Sequence, residues 1–189
     1  FHALYQDALA TLSEVSLTAE REGLSDVAAN TMFFLAEIDE NLGEFEKALT
    51  KYRSGLQNYR KGVRQGDPTV EPRILLRMGK IYRLRDNYEE AVEHFRLAIS
   101  KSRAANAKAI TADALMSLAE VFYWLADAKL SIHYYKQAFD LFSQDGDGPK
   151  QVEILATLGE LGFVSDEISA EDGMRYFKEA AAIAGTQNK

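Results

Sequence analysis

The chain has 189 residues, an apolar fraction of 47%, a net charge of -7 and no cysteine. That length admits one ordinary domain or a short repeat array, and the missing thiols exclude disulfides, thiolate metal sites and cysteine nucleophiles. Three prolines and twelve glycines are few, and abundant Ala, Leu, Glu, Lys and Arg favour helix, so an all-α protein is expected. No stretch approaches the roughly 18 apolar residues of a membrane span, and the start lacks a signal-peptide pattern. The chain opens on Phe1, which reads as an excerpt or a processed product. Its location is therefore unassigned, with the cytoplasm favoured.

In chain order, residues 1–24 carry Tyr5, Ala8, Leu12 and Val15, the pattern of a single helix and half of a two-helix unit. Residues 25–66 place Met32, Leu35, Ala36 and Asp39 before a turn at Gly43-Glu44, then Phe45, Ala48, Tyr52 and Gly55. Residues 69–106 give the clearest copy: Leu75, Met78, Gly79 and Tyr82, a turn at Asp86-Asn87, then Tyr88, Ala91, Phe95 and Ala98. Residues 108–146 repeat it with Leu115, Leu118, Ala119 and Phe122, a turn near Ala126-Asp127, then Ala128, Ser131, Tyr135 and Ala138. In residues 149–186, Leu155, Leu158, Gly159 and Gly162 match, and a longer turn shifts the second helix to Ala170, Gly173, Phe177 and Ala180. The copies are offset by 43 and then 40 residues.

Each unit is thus two amphipathic helices with apolar spacings of three and four. Small residues recur where helices must approach to about 8–10 Å, and each unit leaves apolar surface that only a neighbour can cover. Ser25 is expected as an N-cap, Pro149 at a first helical position, and Ser169 with Asp172 as a variant capping box. Asp67-Pro68 breaks the chain between units. About nine helices and no sheet are expected, in one array over residues 1–189.

The alternation of a small residue, an aromatic, Ala, an aromatic and Ala resembles the tetratricopeptide repeat over nearly the whole chain. The offsets depart from the standard 34-residue period and are similar to the long-helix variety of kinesin light chains and spindle-orientation adaptors. The resemblance implies a right-handed superhelical solenoid of antiparallel helix pairs with a concave peptide-binding surface.

Residues that could carry chemistry are scattered. His2, His94 and His133 do not pair at a ligand spacing, so no metal site is expected. Asp145 to Gly148, "DGDG", lacks the glutamate an EF-hand needs at the sixth place after its glycine, where Ile154 stands. It reads as a turn. Acidic pairs such as Glu89-Glu90 fall at helix starts, where acids favour the positive end of the helix. Neither catalysis nor a cofactor is expected.

The first helices carry a pattern that recurs across all four units. Phe33, Leu76, Met116 and Ala156 form an apolar column, either the floor of a groove or additional core. Glu37, Lys80, Glu120 and Glu160 form a charged column, and Asn30, Arg73, Asp113 and Glu153 a polar one. The functional reading is a groove that accepts a helix or extended segment of a partner protein, with Tyr123 and Trp124 adding contact area. Arg73, Arg77, Lys80 and Arg83 recur on one helix as a basic stripe that would favour acidic residues of the partner. Arg73 and Arg77 resemble half of the family's carboxylate clamp, but Phe34 and Glu37 stand where its other half would be.

Charge is uneven. Residues 47–108 hold fifteen Lys/Arg against six Asp/Glu, and the remainder seven against twenty-three. The stripe, with Arg53, Arg60, Arg64 and Arg85 nearby, could touch nucleic acid, but the acidic remainder opposes that. The competing reading is a structural subunit that joins an assembly or itself through apolar residues of the leading helix such as Leu9 and Leu12.

Overall fold

The computed structural model describes residues 2–62 and 66–187, with side chains from residue 7 to residue 186. Tyr5, His2 and Arg64 therefore lie outside the described side chains. The described residues form nine helices and no strand: α1 (His2–Arg21), α2 (Ser25–Asn41), α3 (Phe45–Lys61), α4 (Val70–Leu84), α5 (Tyr88–Ala104), α6 (Lys108–Trp124), α7 (Ala128–Asp145), α8 (Gly148–Val164) and α9 (Ala170–Gln187).

The strongest packing is within the pairs α2–α3, α4–α5, α6–α7 and α8–α9, and each pair also packs on the next. This is an all-α solenoid of antiparallel helix pairs. One core runs through it, from Ala29 and Tyr52 through Phe95 and Leu115 to Leu158 and Ile168. Close approach depends on missing side chains. A Cβ on Gly79 would lie 2.6 Å from the Phe95 ring, and one on Gly159 would lie 2.8 Å from that of Phe177.

The turns keep a stricter count than the apolar pattern suggests. A left-handed residue closes six of them: Gly23 and Gly43, then Asp86, Asn106, Ala126 and Gly146. Within each run these positions are 20 residues apart, so the underlying unit is 40 residues. The 43-residue offset arises from a longer connection between α3 and α4. There the Asp67 carboxylate accepts the Thr69 N–H at 2.9 Å before α4 begins.

Three boundary expectations meet different outcomes. Ser25 is the first residue of α2, and the N-cap is Leu24, which offers no side-chain acceptor. The preceding turn residue, Gly23, already sets the direction of entry, so Ser25 falls one place too late to cap. Pro149 sits one residue inside α8, because Asp147 takes the cap and accepts the Lys150 N–H at 3.2 Å. At α9 the capping box forms: Ser169 Oγ accepts the Asp172 N–H at 3.1 Å and donates to the Asp172 carboxylate at 3.0 Å.

Candidate functional site

Among the helices, α2 approaches α4 and α4 approaches α6, whereas the second helices of successive units make no comparable approach. The first helices therefore line the shorter, inner side of the solenoid. Their residues align in rows, offset by 43 residues from α2 to α4 and by 40 from α4 onward, and charged members of neighbouring helices meet.

Arg77 of α4 is the centre of this contact. Its guanidinium donates to Glu37 of α2, and its other nitrogen lies 3.4 Å from Glu40. Glu40 also accepts the hydroxyl of the fully buried Tyr52 of α3 at 2.8 Å. Burial, reinforced by Glu40, raises the Tyr52 hydroxyl pKa, so it stays protonated and donates. Arg73 donates to Asn30 at 3.1 Å, stands 3.5 Å from Asp67, and stacks over the Phe33 ring at 5.1 Å. Arg83 stands 3.3 Å from Glu120 of α6.

The expected basic stripe is therefore present but mostly committed. Three of its four cations join neighbouring helices of the same chain. Lys80 is half-buried and, among the described residues, is the one member of the stripe without an ion pair. Burial holds its ammonium below the ordinary lysine range; Asp113 and Glu120 offset this only in part. Glu120 is pushed the other way, above the ordinary carboxylate range, chiefly by burial and against the pull of Arg83. A half-buried cation without an ion pair and a half-buried anion paired only with Arg83 thus share the inner face.

The apolar column is not an open floor. Phe33, Leu76 and Met116 are buried in the core, and Ala156 is half-buried. The long helices pack over more of their circumference than a two-residue stripe needs, so these positions serve the stack. Tyr123 is half-buried, and Trp124 is 64% exposed, with the two rings edge to face at 5.8 Å. Of the other polar positions in the rows, Asn30, Glu37 and Asp113 are half-buried, and Glu153 and Glu160 are exposed.

The repeat pattern does not single out Glu40, Tyr52 or Asp67 as part of this face. Glu40 is recoverable, since it follows Glu37 by one helical turn and so faces Arg77 with it. Asp67 is hidden in the irregular connection. A further cavity of about 330 Å³ lies off the inner face, between the α5–α6 turn and α7, lined by residues including Arg103, Lys108, Thr111, Gln137 and Asp140.

The two described histidines are tied to local helical partners. His94 Nδ1 lies 2.8 Å from the Glu90 carbonyl with its ring against Tyr82, and His133 Nε2 lies 2.8 Å from Gln137. No group of three His, Asp or Glu side chains among the described residues could hold a metal ion. No described helix is long and apolar enough to cross a membrane.

A stack of paired helices, cross-linked along its inner face, is the architecture of a helical-repeat solenoid. Residues 71–144, which cover α4 to α7, match the model of the tetratricopeptide repeat family. Solved structures share the fold of the whole array. BtubC (BKLC) from P. vanneervenii is 21% identical with a TM-score of 0.78, the match covering 96% of this chain and 74% of that one. A putative kinesin light chain of Podosopora anserina with nearly identical TPR-like repeats is 13% identical with a TM-score of 0.73, covering 100% and 91%. The Rap conjugation gene regulator of the plasmid pLS20, in complex with the Phr* peptide, is 15% identical with a TM-score of 0.64, covering 82% and 42%. No curated protein matches the chain by sequence. The fold is thus a TPR-like, right-handed superhelical solenoid.

Proposed function

We propose that the chain is an adaptor or scaffold module that holds a segment of a partner protein against its inner, first-helix face, without catalysis. The array divides into a leading half unit, residues 1–24, and units at 25–66, 69–106, 108–146 and 149–186. The observation that carries the reading is Lys80, a half-buried ammonium on the inner face with no ion pair among the described residues. Exposed lysines are common and mean little, but a desolvated one is costly unless an acceptor reaches it. A carboxylate of the partner would supply that acceptor.

The partner is narrower than a run of acids. Arg73, Arg77 and Arg83 are already engaged, so one acidic side chain over Lys80 suits the face, with a donor toward Glu120. An extended backbone carries such donors at every residue. The Rap regulator is solved with a peptide bound, which is in keeping with peptide binding on this fold.

A second reading is a structural subunit that associates with itself. It rests on Leu17 and Leu24, 63% and 50% exposed on and just after α1, with Val15 and Val27 nearby. Sedimentation of the whole chain over a range of concentrations separates the two. A monomer that selects acid-bearing peptides from a displayed random library supports the scaffold reading. A dimer that selects none overturns it.

A further inference from the structure

Leu84, Trp124 and Val164 are the last residues of α4, α6 and α8, and each lies 40 residues after the one before. They are 57%, 64% and 73% exposed, with Leu125 and Phe163 exposed beside Trp124 and Val164. Units stack at roughly the 8–10 Å separation of packed helices. Three large apolar side chains therefore recur, one per unit, along one edge of the solenoid, where the first helices turn into the second; α4 and α6, which bear Leu84 and Trp124, approach each other directly. Single exposed apolar residues are ordinary; a row at one structural position is not.

The margin of this row is acidic. The adjoining turns and second-helix starts carry Asp86, Glu89, Glu90, Asp127, Asp166 and Glu167, all exposed. Arg85, a cation at the same edge, is paired with Glu46 at 2.5 Å. Acids collect here because second helices begin here and their N-termini favour negative charge. The result is an apolar stripe whose border is predominantly acidic, six acids against the paired Arg85 and the exposed Lys129.

We infer that this edge docks a basic amphipathic helix of a partner protein. A helix rises about 1.5 Å per residue, so apolar side chains at i, i+7 and i+14 fall about 10.5 Å apart and meet successive units. Paired neighbours such as Trp124 with Leu125 and Phe163 with Val164 widen the stripe to suit the broad apolar face of such a helix. Lysines or arginines flanking that face meet the acidic margin, which sets orientation and speeds association. The surface lies outside the Lys80 groove and does not depend on it.

Trp124 is the chain's only tryptophan, so its emission reports on this edge alone. The probe is a synthetic helix of about 18 residues, roughly 27 Å long, with leucines at those positions and flanking lysines, titrated into the whole chain. The expected result is a saturable blue shift that weakens with salt. Leu84→Asp with Val164→Asp should weaken binding by about tenfold or more, and Lys80→Glu should leave it unchanged. Asp166→Lys with Glu167→Lys tests the charged margin without touching the apolar row, and should also weaken binding. No shift, or an equal shift from the same helix with flanking glutamates, overturns the inference. So does a blue shift that grows with protein concentration without peptide, which would make a second copy the occupant.

Discussion

Arg77 and Glu37, forty residues apart and on adjacent first helices, are joined by an ion pair on the inner face of the solenoid. With Glu40 and the Tyr52 hydroxyl behind it, this contact locks one unit to the next through polar groups where the outer stack does so through apolar ones. Arg77→Met leaves two carboxylates without their cation. The side chain is 38% exposed, so solvent screens much of the charge. The expected cost is about 1–2 kcal/mol in urea unfolding. In a double-mutant cycle with Glu37→Gln, a coupling of about 1 kcal/mol is expected, and a coupling of zero would mean the pair is a surface ornament.

Lys80 and Glu120 make opposite demands on pH. Because Glu120 titrates above its ordinary range when folded, the unfolded chain loses that proton first as pH rises. Stability therefore falls between the ordinary carboxylate range and the raised folded value. Glu120→Gln should raise the thermal midpoint at about pH 7 and leave it unchanged at about pH 3. Lys80, held low by burial, is destabilising below its folded value and stops being so as pH climbs toward 10.5. Lys80→Met should raise the midpoint at neutral pH. A fall in midpoint with either change would show that these groups are better compensated than the inner face suggests.

Gly79 tests the packing register. Gly79→Ala places a methyl against the Phe95 ring at 2.6 Å and should cost about 1–3 kcal/mol by overpacking. Gly185→Ala, a helical position in α9 with nothing within 4 Å, should instead stabilise by about 0.5–1 kcal/mol. Equal effects, read by denaturant midpoint, would contradict the helix pairing.

Ala126 closes the α6–α7 turn at φ 58°, a left-handed conformation that costs an alanine about 1–2 kcal/mol. The equivalent turns use Gly, Asp or Asn. Ala126→Gly should therefore raise stability, by about 1 kcal/mol after the added freedom of the unfolded chain is counted. A destabilised variant would mean the methyl group contributes packing that offsets its strain.

The fold is legible in the sequence because its signal is redundant. Gly79, Tyr82, Ala91 and Phe95 recur with substitutes in every unit, and each copy corroborates the others. The inner face is legible only by rows. Periodicity places Arg73, Arg77, Lys80 and Arg83 on one helix, but it carries no information on which acid of a neighbouring helix meets each cation. Sequence alone therefore leaves the stripe free where the structure commits most of it. The apolar column reads as a possible open floor for a related reason: helical spacing defines a face, while burial depends on how closely neighbouring helices approach. Trp124 stands out from sequence as a groove residue, yet its kinship with Leu84 and Val164 as a helix-end row emerges only once the helix ends are fixed.

The most direct test of the scaffold reading is a charge exchange at Lys80, measured by isothermal titration with an acid-bearing peptide selected on the whole chain. Lys80→Glu should weaken binding by about tenfold or more, and replacing the peptide's acidic residue by lysine should restore it. Binding that is indifferent to both exchanges would contradict recognition on the inner face.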